Sequence, residues 1–347
     1  YLKDISDAGT RIFYRLGASI EHGFKYGTYP PADFEKWARI CEHIIAHYNE
    51  GGADGFRYNI EYWEIWNEPE CRNADGTNPC WQGTEEQFTE LYAVTAKHLK
   101  SRFPNIKIGG PAFTSPWETN FKRKFLKTVK ENSIPLDFYS FHCYADTPDG
   151  ISEAAAEGAD ALKAAGLDST EIILDEWNYI KGWSGDGWKE SLDTWKGLKG
   201  ASFITGAMCK CQYSPLDMLM FYDARPCVMC SLFETDRPWV ALKGYYPFKM
   251  FSELYELNEA IKVKSDDGSI YAAAAKDNKT AKILLTFFEN GSAEQNREVI
   301  IKLKNLGLSG NINYTCTVLD ENNDCVPIKQ LVLTEAEELK LNLKMSL

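Results

Sequence analysis

Along the first 260 residues, short apolar runs alternate with longer stretches of helical period; beyond them the helical period disappears. Apolar residues three and four apart predict a helix over 30–47, where Phe34, Trp37, Ile40, Cys41, Ile44 and Ile45 share a face. The same spacing predicts a helix over 85–102, through Phe88, Leu91, Tyr92, Thr95 and Leu99. Further helices are predicted over 120–132, 152–165, 201–212 and 240–257, and residues 2–7 read as the tail of one stopped at Gly9. Between them lie 11–18, 62–66, 106–109, 137–141, 171–174 and 218–221, short runs rich in aromatic and β-branched residues and predicted as strands. Residues 71–83 read as a long polar loop and 183–188 as a Gly/Trp loop. After residue 260 the strands follow one another directly, over 269–275, 281–288, 298–303, 312–318 and 330–333, with turn residues between them.

Strand and helix alternate six times at crossover spacing, which implies parallel strands covered by helices. The predicted fold is α/β: a (β/α)8 barrel over 1–260, then a β-sandwich over 261–347 in a supporting role. Six strands do not close an eight-stranded barrel, so two more are expected ahead of Tyr1.

Polar constellations sit at the predicted strand ends, the face on which such folds place their sites. In Tyr62-Trp63-Glu64-Ile65-Trp66-Asn67-Glu68-Pro69, Pro69 stops the ladder and leaves Asn67 and Glu68 at its end. A carboxyl group walled by Trp63 and Trp66 is partly desolvated, which raises its pKa toward what a general acid requires. A glutamate after a strand ordinarily caps a helix or pairs with a lysine. A second stretch of the same build, Ile172-Ile173-Leu174-Asp175-Glu176-Trp177-Asn178, reverses that expectation. Two carboxyl groups flanking one anomeric carbon are the requirement of glycosidic cleavage. Glu176 has Asp175 beside it and His142 or Tyr144 as hydrogen-bond donors.

Composition narrows the partners. The 347 residues carry a formal charge of −12, which argues against nucleic acid or an anionic membrane as partner. No run of 18 apolar residues exists, so no membrane insertion is expected. Aromatic residues make up 13% and suit sugar faces as well as a core. Of the ten cysteines, Cys71/Cys80 and Cys316/Cys325 are close enough in sequence to bridge, whereas Cys209/Cys211 and Cys227/Cys230 lack the partners of a metal site. The run Lys122-Arg123-Lys124 reads as a solvated helix face. Asp223 and Arg225 read as a mutual ion pair, and Trp183, Trp188 and Trp195 as either cleft wall or core.

Trp66-Asn67-Glu68-Pro69 and Leu174-Asp175-Glu176-Trp177-Asn178 resemble the acid/base and nucleophile motifs of clan A retaining glycoside hydrolases. With Gly109-Gly110-Pro111-Ala112 and Phe141-His142-Cys143-Tyr144, the likeness is to family 39, the β-xylosidase and α-L-iduronidase family. The resemblance implies Glu68 as acid/base and Glu176 as nucleophile. It implies Asn67 on the sugar 2-hydroxyl, His142 and Tyr144 beside nucleophile or sugar, and Glu21 and His22 along the glycone subsite. Trp177 and Tyr222, at the ends of the last two barrel strands, complete the substrate set. The reaction expected is double displacement on a neutral β-linked sugar, first of all a β-xyloside, with no cofactor and no metal. Other β-glycosides, a uronic acid glycoside and a sugar-binding barrel without turnover are the alternatives. The partner is a small or oligosaccharide substrate, with a homo-oligomer allowed, and the expected location is secreted or periplasmic.

Overall fold

The computed structural model describes every residue except 18–27, 292–295, 305–311, 334–337 and 347. The chain runs α1 (Leu2–Asp7), β1 (Phe13–Leu16), α2 (Phe34–Asn49), β2 (Tyr62–Ile65), α3 (Glu85–Arg102), β3 (Lys107–Phe113), α4 (Asn120–Glu131) and β4 (Phe138–Ala145). It continues through α5 (Pro148–Ala164), β5 (Glu171–Tyr179), α6 (Gly185–Lys196), α7 (Leu198–Cys211), β6 (Met218–Phe221) and α8 (Tyr245–Tyr255). The strands β1 to β6 form one sheet in sequence order, and its first four pair in parallel, the arrangement of a partial (β/α) barrel. None of the described helices is long and apolar enough to cross a membrane.

The helices start where the sequence provides caps. Asp33 accepts from the Lys36 amide at the head of α2, and Thr84 and Gln87 form a reciprocal capping box on α3.

Two compact units divide the chain, one of residues 1–143, 154–176 and 215–220, the other of residues 144–153, 177–214 and 221–347. In the first, strand alternation sorts the inward side chains into rows. Tyr62, Phe138 and Ile173 form an apolar floor with Phe13, Met218 and Met220. Two residues further along the same strands stand Arg15, Glu64, Ser140 and Asp175, a polar row joined by hydrogen bonds. A period of two makes this sorting unavoidable, because residues i and i+2 of a strand share a face. The outward residues are large and apolar: Trp63, Ile65, Ile108 and Tyr139 are all buried.

In the second unit β7 (Glu259–Ile261), β8 (Ile270–Lys276) and β9 (Ala281–Phe287) form an antiparallel sheet. Phe203 of α7 packs edge-on against Tyr179 and Phe288. Two further antiparallel pairs are β10 (Asn296–Lys304) with β13 (Glu338–Ser346) and β11 (Ile312–Leu319) with β12 (Asp324–Leu333).

Several expectations need correction. Lys122 is not on a solvated face. Its side chain is 3% exposed, and its ammonium donates to the Ser115 and Trp117 carbonyls and lies 3.4 Å from a Glu70 oxygen. The helix turns it inward, leaving Arg123 and Lys124 outside. All ten cysteines are thiols. In the β11–β12 register Cys316 faces Lys329, four residues from Cys325, which keeps that pair apart. Residues 185–196, partly read as a Gly/Trp loop, form helix α6. Strands β3, β4 and β5 run several residues further than their β-propensity suggests, because pairing overrides the weak propensities of Gly, Asp and Asn.

Candidate active site

Glu68, His142 and Glu176 converge at one end of the first unit. One carboxylate oxygen of Glu68, one of Glu176 and a His142 ring nitrogen lie within 4.8 Å of one another. The imidazole stands between the two acids: Nδ1 is 2.9 Å from Glu68 Oε1, and Nε2 is 3.6 Å from Glu176 Oε2 and from Asp175 Oδ2. The first distance is a hydrogen bond; the other two are electrostatic contacts. The His142 side chain is 0% accessible, that of Glu176 10% and that of Glu68 20%, so the two glutamates are the members a solute reaches.

The support beneath them is the polar row. Arg15 binds Glu64 and, at 2.7 Å, Asp175, while the Ser140 hydroxyl donates to Glu64 at 2.6 Å. Burial tends to strip the His142 proton, but the charges of Glu176 and Asp175 outweigh it and hold the ring's pKa well above 6.5. The field of these carboxylates therefore favours the protonated ring. Burial likewise pushes the Asp175 carboxyl up, and His142 and Arg15 more than reverse it, so Asp175 stays below its ordinary 3.8. Glu64 fares differently. Burial lifts it to about 7, with Asp175 adding repulsion, against the pull of Arg15 and Ser140.

Glu64 gives a stability prediction. Its folded pKa of about 7 lies above its ordinary 4.5, so its contribution is fully present below pH 4.5 and is lost as pH rises through about 7. The Tm of the parent chain should therefore fall relative to that of Glu64→Gln across that interval. Parallel Tm curves for the two proteins would sink the assignment.

The backbone around Glu68 is held in an uncommon conformation. Trp66, Glu68 and Ala112 have φ of 76°, 47° and 54°, left-handed values that cost a non-glycine residue about 1–2 kcal/mol. Three hydrogen bonds hold it there: Glu68 N to Ala112 O (2.9 Å), Trp66 N to Leu16 O (2.8 Å) and Trp66 Nε1 to Cys80 O (3.0 Å). A side chain at Gly110 would come within 2.9 Å of the Ile65 carbonyl, so the neighbouring turn tolerates only glycine.

The tryptophan wall expected around Glu68 is not what surrounds it. Trp63 packs on Tyr14, and Trp66 on Trp37 and Trp81. Glu68 instead touches His142 and, at 3.8 Å, the Cys80 thiol. Asn67 is 4% exposed, and among the described residues neither its amide nitrogen nor its oxygen has a hydrogen-bond partner. Glu21 and His22 lie outside the described residues.

Tyr144, Trp177 and Tyr222 belong to the second unit. Trp177 is a core residue there, 1% exposed and packed on Phe203 and Phe221, so a sugar cannot lie on its ring. Tyr144 meets the edge of Trp183, which stacks at 22° on Trp188. Trp183 is 61% exposed, whereas Trp195 is core and donates to the Tyr179 carbonyl. Arg225 binds Asp223 at 2.7 Å, as their spacing suggests, and also reaches the Tyr222 hydroxyl.

Sequence reading missed Arg15, Glu64 and Ser140. The signal available was charge in a strand, since Arg15 and Glu64 interrupt otherwise apolar runs. Among the described residues, two sets of donor atoms are close enough to share a cation: Glu68, His142 and Glu176, and Glu68, Cys71 and Cys80. In the first set the His142 proton competes for the same place.

Residues 14–176 match the profile of glycosyl hydrolases family 39. A β-xylosidase of Geobacillus stearothermophilus is 34% identical over 124 residues, 33% of this chain and 21% of that protein. A β-xylosidase of Caldicellulosiruptor saccharolyticus is 27% identical over 179 residues, 47% of this chain and 34% of that protein. The chain thus aligns with about a third or less of each curated relative. Among solved structures, a glucosidase from Croceicoccus marinus superposes over 100% of this chain and 78% of its own, with a TM-score of 0.77 at 20% identity, a likeness of fold.

Proposed function

We propose, since residues 14–176 match the profile of glycosyl hydrolases family 39, that this chain carries the catalytic pair of a retaining glycoside hydrolase. The observation that carries the reading is the Glu68–Glu176 approach to within 4.8 Å, oxygen to oxygen. Retaining enzymes hold their carboxyl groups about 5–5.5 Å apart, and inverting enzymes need about 6.5–9.5 Å to admit water.

Glu176 attacks the anomeric carbon while Glu68 protonates the departing oxygen, which gives a glycosyl ester on Glu176 and a free alcohol. Glu68, now ionised, takes a proton from water as that water attacks the anomeric carbon and displaces Glu176 as a carboxylate, which leaves Glu68 protonated again. His142 orients both acids. Esterification removes the Glu176 charge and with it part of the field that holds the imidazolium proton.

The substrate is a neutral β-linked sugar, and a β-xyloside is the first choice. Both curated relatives above are named β-xylosidases, and support for neutrality comes from Arg15. Among the described residues, this guanidinium beside the glutamates is committed to Glu64 and Asp175 rather than held for a substrate carboxylate. Fold alone does not choose the sugar, because a glucosidase shares it. A panel of nitrophenyl glycosides, with the anomer of the first-formed product read by NMR, tests the proposal. Fastest release from the β-xyloside with retained configuration is expected; an inverted product ends it.

Asn67 takes the sugar 2-hydroxyl with its buried amide. Asn67→Ala should lower kcat/KM by about a hundredfold, roughly 3 kcal/mol, as hydrogen bonds to that hydroxyl strengthen in the transition state. On a 2-deoxy substrate the two proteins should differ little. An equal loss on both substrates would assign Asn67 to another task.

A further inference from the structure

We infer that Cys71, Cys80 and Glu68 form a site for a thiophilic divalent cation such as zinc, and that its occupancy shuts off hydrolysis by taking Glu68 as a ligand. The inhibitory half rests on the role of Glu68 proposed above; the binding half does not.

The three ligand atoms lie within 4.8 Å of one another, and Cys80 Sγ is 3.8 Å from Glu68 Oε2. Two sulfurs around a tetrahedral zinc ion stand about 3.8 Å apart, given Zn–S of about 2.3 Å. With Zn–O of about 2.0 Å a sulfur and an oxygen stand about 3.5 Å apart, so no pair in the group has to contract by more than roughly 1.3 Å. Thiolate pairs with one carboxylate favour zinc or cadmium over magnesium or calcium, which prefer all-oxygen shells. On binding, the two thiols release their protons and the cation takes both sulfurs and one Glu68 oxygen, with water in the fourth place.

The loop that carries the cysteines holds them in place. Asn78 donates to the Pro69 carbonyl at 2.6 Å and accepts from the amides of Cys80 and Trp81 at 2.8 Å each. The Cys71 amide donates to the Glu68 carbonyl at 3.1 Å, which fixes Cys71 relative to the carboxylate. Cys80 is 4% exposed, whereas Cys71 and Glu68 are half-buried, so solvent reaches the group at Cys71 and Glu68.

The test uses the full chain under a non-chelating reductant. Cadmium is titrated in while the thiolate-to-cadmium charge-transfer band is followed, and zinc affinity is measured by competition with a chromophoric chelator. One equivalent should bind, and hydrolysis should fall in step with occupancy and return with a chelator. Cys71→Ser should keep hydrolysis, lose that band and weaken zinc by more than about a hundredfold, beyond what losing an outer-shell partner costs. Glu68→Gln, with both thiols intact, should keep the cadmium band and bind zinc more weakly. A band that persists in Cys71→Ser, or a Cys71–Cys80 disulfide mapped under reductant, overturns the site. Full activity at saturating zinc overturns Glu68 as the third ligand. A chain that cleaves no glycoside but shows the Cys71-dependent band supports the site and removes the proposed function alone.

Discussion

Glu176→Ala is expected to lose on the order of 10⁵ in kcat/KM, the low end of the effective molarity of a well-placed intramolecular nucleophile. With the carboxylate gone, no covalent intermediate forms and no burst of aryl alcohol precedes the steady state. The cavity left on that side admits azide, which attacks the face Glu176 had used and gives a glycosyl azide of inverted configuration. The variant also carries a signature in His142. Glu176 is the largest of the charges that raise the His142 pKa, so its removal should bring that pKa down, readable by NMR titration of the ring. An unchanged His142 titration would show that the two groups do not share a site in solution.

For Glu68→Ala the expected loss is smaller and depends on the substrate. General acid catalysis contributes about 10²–10⁴-fold, so glycosides with poor leaving groups should slow by that much. Activated aryl glycosides, whose leaving group needs no proton, should still form the ester at near the parental rate and then stall. Azide in the vacated space attacks the ester from the Glu68 side and gives a glycosyl azide of retained configuration. The two rescue products are opposite in stereochemistry, so one pair of experiments assigns both roles. If azide yields the retained product from Glu176→Ala, the assignments exchange.

Much of the arrangement was legible in the chain. Helix α3 begins and ends where its spacing and the Thr84–Gln87 capping pair say it should, because caps and apolar spacing are local. The two acidic motifs announced themselves by repeating one unusual composition on two strands. Less legible were the strand ends. Residues 175–179 include Asp, Glu and Asn, poor strand formers, yet β5 runs to Tyr179, since the Tyr222 amide and the Asn178 side chain tie that stretch to the next strand. Lys122 shows the same limit at one side chain. Three consecutive basic residues look solvated, and only the fold supplies the Ser115 and Trp117 carbonyls that draw one of them inside.

The sequence by itself determined the alternation of strands and helices, the two glutamates and the company each keeps, because all of these are properties of neighbours along the chain. Tertiary structure alone decided that carboxylates 108 residues apart (176 − 68) come within 4.8 Å, and that His142 stands between them. It also decided that Arg15 is committed to the buried row below, and that Cys71 and Cys80 flank Glu68. The reason is register: which side chains share a level in a parallel sheet follows from the pairing of strands distant in sequence, and no local preference encodes that pairing.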